Sequence, residues 1–418
     1  MRSRIPGLGN VFYGWIIVVV AAVGTCTGFG TIYSFGVFFK YWIGEFGSSR
    51  AVLSGIFSVA FIIYGLASIG MGWLSDRYGP RRAIAIGGSI MATGCLLTAF
   101  CRHTGILYLT WGLAVGIGVG TCYAPTAATV SKWFIHRKGM AMGILVSGLG
   151  MGTLVFSPLS ERLIQSFGWR TAIFIIGLIA LVVYLVEALI IRGNPKDVGL
   201  KPLTAPAKEV NGGSGESGSA GTIEMPDSSL SFSEALATRN FWFIFGIHGL
   251  WMIGVGIVMA HFVPYATDQG ARVNTAAAMM GAVGAMSVIG RLSLGLLTES
   301  WGIKRSFLII LSCQGITMLL PFLGGSEWML WMFVIVFGFG YGGLASIFPL
   351  ATAELFGVRA MGSLFGLSLL GATIGGSTGP LLAGFTFDMT RSYFTAFGAG
   401  AIAIAIAILF AAGIRRPT

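Results

Sequence analysis

Charge is scarce in this sequence. Of its 418 residues only 10% are Asp, Glu, Lys or Arg, while 55% are hydrophobic and the mean hydropathy is +0.84. A soluble domain usually carries about 25% charged residues, so too little polar side chain is present here to cover a solvated surface. Histidine is also rare, with four copies, and the five cysteines (Cys26, Cys95, Cys101, Cys122, Cys313) are odd in number and lack CxxC spacing. Neither a disulfide framework nor a zinc site is supported, and the cysteines read as small packing residues. His248 and His261 are thirteen residues apart on one predicted helix, nearly four turns, which rules out a shared metal site. No nucleophile, base or metal-ligand cluster stands in the apolar segments. The sequence therefore predicts no catalytic residues, no metal, no cofactor and no enzyme.

What is present is apolar length. Windows of about 20 apolar residues, the thickness of a bilayer core, fall near 13–39, 52–74, 83–101, 107–131, 140–163, 171–191, 241–266, 276–298, 306–324, 328–350, 361–386 and 393–414. The prediction is an all-α polytopic membrane protein with twelve spans, six on each side of one long loop. The apolar stretch after Arg4 is too long for a signal-peptide core, so the first span is expected to stay.

A formal net charge of +11 raises the question of a nucleic-acid partner. Its distribution answers it. With the N-terminus inside, eighteen of the 26 Lys and Arg residues fall on the inner side, seven (Lys40, Arg50, Arg102, Arg162, Arg170, Arg272, Arg391) fall outside, and Arg291 lies within a span. That is the positive-inside pattern of a lipid-embedded chain, and it predicts cytoplasmic termini and a cytoplasmic central loop.

The loop changes composition between Gly193 and Arg239, with NGGSGESGSAG at its centre, and reads as a flexible linker. It divides the chain into an N-terminal bundle (1–192), a linker (193–239) and a C-terminal bundle (240–418). The segment SLSFSEALATRN before Phe241 has the pattern of a short amphipathic surface helix.

The halves are copies. GWLSDRYGPRR at Gly72 to Arg82 returns as GLLTESWGIKR at Gly295 to Arg305, and adding 223 carries Gly72, Asp76, Gly79, Arg81 and Arg82 onto Gly295, Glu299, Gly302, Lys304 and Arg305. Within one residue the same offset relates Phe134 to Phe356, Gly143 to Gly366 and Pro158 to Pro380. Two copies of a membrane bundle imply a cavity between them. The glycine, acid, base, glycine, paired-base signature resembles the loop 2–3 motif of the major facilitator superfamily and its echo in loop 8–9. That resemblance implies two six-helix bundles and a cytoplasmic gate, here Asp76, Arg81, Arg137, Glu299 and Arg305.

Glycines mark close helix approach in two related spans: Gly116, Gly118 and Gly120 precede Tyr123, while Gly338, Gly340, Gly342 and Gly343 surround Tyr341. Packing explains the glycines but not a tyrosine in each copy. Charge within the spans is the sharper signal. Arg291 has no acid within a turn or two of its own helix, and holding it there costs about 2.5–3.5 kcal/mol on insertion scales. Its repeat partner is Ser68, so the cation belongs to one half and is not scaffold. Either it awaits an anion, or it pairs with Glu187 or Glu354 from another helix. Glu187 is placed to reach the interface, and Glu354 to join the inner gate. His261 lies toward the outer end of its span, where it is a candidate proton relay or a hydrogen-bonded structural residue.

SKWFIHRKGMAMGILVSGLGMG, from Ser131 to Gly152, is similar to the loop 4–5 and fifth-helix signature of the monocarboxylate transporters and the bacterial oxalate:formate antiporter branch. The oxalate exchanger carries a lysine in its eleventh span, and this chain has none there, so one arginine is left for one carboxylate. Where animal monocarboxylate transporters have an acid a turn before the eighth-span arginine and a lysine in the first span, this chain has Ser287 and Tyr33.

The resemblance implies an alternating-access carrier of small monocarboxylates such as lactate or pyruvate, coupled to H+, working as a monomer in the bacterial inner membrane. Its site would hold Arg291 as anchor, Tyr123 and Tyr341 as hydroxyl donors and aromatic walls, Ser287 and Tyr33 as polar contacts and Phe365 on the apolar side. A carboxylate exchanger, a drug or sugar carrier and a transport-dead sensor are the alternatives.

Overall fold

A computed structural model describes residues 12–134, 137–200, 203, 230–357 and 361–415, with all their side chains except those of Lys138, Gly295, Leu296, Glu299 and Gly362. Most of the expected linker, 201–202 and 204–229, lies outside the described residues. In chain order the helices are α1 (Tyr13–Tyr33), α2 (Phe35–Phe46), α3 (Arg50–Tyr78), α4 (Pro80–Thr98), α5 (Thr104–Leu107), a π-helical stretch (Tyr108–Val115), α6 (Gly116–Trp133) and α7 (Lys138–Ile190). The second half holds α8 (Phe232–Ala237), α9 (Arg239–Asp268), α10 (Val273–Trp301), α11 (Ile303–Leu319), α12 (Glu327–Phe356), α13 (Met361–Thr390) and α14 (Phe394–Ala412).

Nine stretches among the described residues are long and apolar enough to cross a membrane. One of them, Gly139–Ile190, is 52 residues long and supplies two arms. Gly152 packs on Gly30 of α1 while Glu187 packs on Gly24 of the same helix. A straight helix would put residues 152 and 187 about 50 Å apart, whereas residues 24 and 30 of α1 are separated by about 9 Å. α7 therefore folds back, and it does so at Gly168, whose φ of 78° and ψ of 160° suit glycine and few other residues. With α4 and α13 the arms number twelve, as the apolar windows predict. Several run further than their windows, as α10 does against 276–298, because polar terminal turns stay helical past the apolar stretch.

The duplication is visible in the backbone. Gly79 (φ 88°, ψ 152°) ends α3 and Gly302 (φ 79°, ψ 154°) ends α10, each handing the chain directly to the next helix. The offset of 223 also carries Gly168 onto Arg391, which likewise has positive φ, at 57°. α8, the short helix expected before Phe241, is started by a capping box: the Ser231 amide donates to Glu234 Oε2 at 2.7 Å and Ser231 Oγ accepts from the Glu234 amide at 3.4 Å.

The halves meet along two helix pairs, α7 with α10 and α3 with α13, and α2 also touches α9. Both termini lie at one end of the molecule; the opposite end is called distal below.

Candidate functional site

Between the halves lies a cavity of about 310 Å³ with an aromatic lining that includes Phe29, Phe61, Trp251 and Phe365. Arg291 of α10 faces it and is 8% exposed. Its Nη1 donates to Ser287 Oγ at 3.3 Å, one turn earlier on the same helix, while Nε and Nη2 have no hydrogen-bond partner among the described residues. Among the described residues no carboxylate stands within 4.0 Å of the guanidinium. Glu354 is exposed. Glu187, expected at the interface, is instead fully buried inside the first half against Gly24, because the glycine leaves room for its carboxyl there.

The tyrosines converge on the same point from both halves. Tyr341 of α12 lies with its ring centroid 5.5 Å from Arg291 Cζ, and its hydroxyl is 3.2 Å from that of Tyr33 on α1. Tyr123, Tyr64 and Ser68, the repeat partner of Arg291, line the cavity from α6 and α3. Ser287 is fully buried behind Arg291, where it donates to Gly284 O at 2.8 Å, so it supports the anchor and does not line the cavity. Arg291, Tyr123, Tyr341, Phe365 and Tyr33 are thus brought to one cavity, with Ser287 one layer behind.

Glycine sets the position of the anchor. At Gly342 a Cβ would run into the backbone of Ser287, and at Gly290 into the carbonyl of Phe339, so α10 and α12 touch backbone to backbone at the depth of Arg291. Gly342→Ala should force them apart, at a cost of about 1–3 kcal/mol for overpacking. The expected outcome is a lower thermal midpoint of the purified protein together with lost ligand response, and an unchanged midpoint would contradict this clamp.

The distal end is closed by contacts between the halves. Arg50, first residue of α3, donates from Nη1 and Nη2 to Asp268 of α9 at 2.7 and 3.2 Å, and from Nη1 to Tyr393 Oη at 2.6 Å. Its Cζ lies 3.6 Å from the centroid of Phe387. Asp388 of α13 accepts from the amides of Arg50 (3.1 Å) and Ala51 (2.8 Å), neutralising the positive end of α3 from the other half.

His261 belongs to this closure and not to the cavity. It is fully buried. Its Nε2 is 3.1 Å from Pro380 O and 2.9 Å from Ser54 Oγ, and its Nδ1 is 3.0 Å from Tyr393 Oη. A carbonyl only accepts, so the proton sits on Nε2 and Tyr393 donates to Nδ1. Ser54 in turn donates to Arg50 O at 2.6 Å. The result is a circuit in which every hydrogen finds an acceptor.

No comparable lock exists at the terminal end among the described residues. Asp76 pairs at 3.9 Å with Lys132 of its own half, both exposed, and Arg81, Arg137 and Arg305 are exposed. Arg137 has φ of 61° just before α7. The side chain of Glu299 lies outside those described. Ile69 of α3 and Gly366 of α13, which line the cavity on that side, are exposed, so the cavity opens toward the end that carries both termini.

A family model described as Major Facilitator Superfamily matches residues 20–380. The chain belongs to this superfamily. It is a multi-pass membrane transporter family, and its twelve-helix fold is the one seen here. Among proteins it resembles, monocarboxylate transporter 13 of Bos taurus is 28% identical over 387 residues, covering 92% of this chain and 85% of the relative. Monocarboxylate transporter 12-B of Danio rerio is 25% identical, covering 92% and 83%. Among solved structures, a bacterial homolog of the human lysosomal transporter Spinster, inward-facing and occupied, superposes with a TM-score of 0.71 at 16% identity, covering 96% of this chain and 97% of that one. At that identity the superfamily fold is shared, and nothing finer.

Sequence reasoning missed the distal closure and several cavity residues, His248, Trp251 and Tyr64 among them. The closure is written as isolated charges at helix ends, Arg50, Asp268 and Asp388, whose pairing only the packed helices reveal. His248 carried a signal in being polar and within a span, but its partner Ser368 lies 120 positions away.

Proposed function

We propose that this chain is a secondary active transporter of small monocarboxylates of the lactate and pyruvate type, which it moves together with one proton by alternating access. The observation that carries this reading is Arg291, a buried guanidinium with Nε and Nη2 unpartnered and no carboxylate in range among the described residues. A cation kept at that cost is complementary to one carboxylate held by two parallel N–H donors. Tyr341 and Tyr33, joined across the halves, let a bound anion draw α12 and α1 together. The relatives named as monocarboxylate transporters support the same substrate class.

In this reading residues 1–192 and 240–418 rock as two bodies on the 193–239 linker. The open end faces the cytoplasm of a bacterial inner membrane, and one chain suffices. Asp76, Arg81, Arg137, Glu299 and Arg305 close the cytoplasmic end when the distal lock releases. Among the described residues no fixed acid stands beside Arg291, so the proton travels on the substrate.

Uptake of labelled lactate into proteoliposomes, with pH gradient and potential set independently by ionophores, tests this. Pyruvate should compete and oxalate should not. Uptake should rise as the outside pH falls and ignore an imposed potential, since a neutral pair feels none of the roughly 2.3 kcal/mol per charge per 100 mV. Uptake that follows the potential would sink symport, and flux that requires carboxylate on the far side would point to exchange.

A further inference from the structure

The cavity is larger than a three-carbon acid requires. About 310 Å³ equals roughly ten water volumes, of which lactate would displace on the order of three. A carboxylate seated on Arg291 leaves most of that space over an aromatic surface. Tyr341 lies 5.5 Å from Arg291 Cζ, Trp251 lies 5.9 Å from Tyr341 with 32° between ring planes, and His248 lies 5.9 Å from Trp251 at 29°. The rings lead from the anchor to a second polar group.

That group is held ready. His248 of α9 stacks on Phe348 at 3.8 Å with 12° between planes, and its Nδ1 is 2.8 Å from Ser368 Oγ on α13. Ser368 is 1% exposed and has no other hydrogen bond among the described residues. If Nδ1 carried the proton, the buried serine hydrogen would have no acceptor; with the serine donating, both groups are satisfied and the proton sits on Nε2. Among the described residues Nε2–H has no hydrogen-bond partner, and it is not shut away from the cavity, which His248 lines. Trp251 cannot take this part, because its Nε1 is already given to Gln314 Oε1 at 2.6 Å.

We propose that His248 is a specificity-determining residue that selects, among monocarboxylates, those with a flat apolar body and a hydrogen-bond acceptor at the end remote from the carboxylate. Such a molecule seats its carboxylate on Arg291, lays its body along Tyr341 and Trp251, and places its far hydroxyl or carbonyl oxygen on His248 Nε2–H. The inference rests on the carboxylate reading of Arg291 and names the substrate class of that site.

The test is thermal stabilisation of the purified full chain by pyruvate, phenylpyruvate and 4-hydroxyphenylpyruvate, which ranks ligands through binding linkage. The expected order is 4-hydroxyphenylpyruvate first, then phenylpyruvate, then pyruvate, with the hydroxyl worth about five- to tenfold in half-saturating concentration. His248→Phe should erase the difference between the two aryl acids, while His248→Gln, which keeps an N–H donor, should retain part of it. Ser368→Ala, which frees the ring to take either tautomer, should reduce the difference even if a His248 variant fails to fold. An unchanged difference in His248→Phe, or pyruvate binding as tightly as either aryl acid, would overturn the proposal. Retention of all three ligands by Arg291→Ala would instead overturn the carboxylate reading beneath it.

Discussion

Arg291→Ala should reach the membrane folded and take up no carboxylate above background, a loss of at least about a hundredfold. Two charge-assisted hydrogen bonds at about 1.5–3 kcal/mol each supply that factor, and nothing else among the described residues lining the cavity carries a fixed positive charge. The same variant should be more heat-stable than the parent, because it removes an unpaired buried cation whose placement costs about 2.5–3.5 kcal/mol. Opposite signs for stability and transport separate an anchor from a structural arginine. Arg291→Lys should also be nearly inactive, since an ammonium cannot form the planar fork. Normal uptake by Arg291→Ala, checked against surface-expressed protein, would remove the site from consideration.

The second large effect is expected at the distal end. Arg50→Ala deletes the bonds to Asp268 and Tyr393 and the contact with Phe387, and leaves Tyr393 without the cation that orients it. Since Arg50 and Asp268 are 17% and 38% exposed, the ion pair is partly screened, and the network as a whole is worth about 1.4 kcal/mol, or tenfold in the ratio of closed to open. Spin labels at Arg102 and Glu327, exposed distal positions on opposite halves, report the separation. The distance distribution should shift toward longer values in Arg50→Ala, and likewise in Asp388→Ala, which strips the amides of Arg50 and Ala51 of their acceptor. Identical distributions in parent and variants would show that other contacts hold this end.

How far the sequence could be read differs between these two regions. Arg291 was legible because a cation inside an apolar run violates the local rule, and a local violation needs no knowledge of neighbours. The twelve arms and the paired turns at Gly79 and Gly302 were legible for the same reason, since apolar length and glycine in a loop are local properties. The distal lock was not, because Arg50, Asp268 and Asp388 are ordinary residues at helix ends and acquire meaning only when α3, α9 and α13 converge. His261 shows the difference within one residue. Its place near the end of a span was readable, yet a proton relay and a structural histidine differ only in what surrounds the ring, and Ser54, Pro380 and Tyr393 come from three other places in the chain. Glu187 went astray likewise, because the absent side chain of Gly24 is what admits it.

The circuit through Arg50, Tyr393, His261, Pro380 and Ser54 has a consequence for leakage. Two of its bonds, Arg50 to Tyr393 and His261 to Ser54, join opposite halves, as do the neighbouring bonds of the Arg50 and Ala51 amides to Asp388. Parting the helices by a fraction of the full movement would break these crossing bonds before water could replace them, at about 1–3 kcal/mol for each group left unsatisfied. A half-parted lock is thus costlier than either a sealed or a fully wetted one, so the end should release all at once or not at all. An all-or-none seal admits no lasting thread of water through the protein, and that lets a carrier sit in an energised membrane without short-circuiting it.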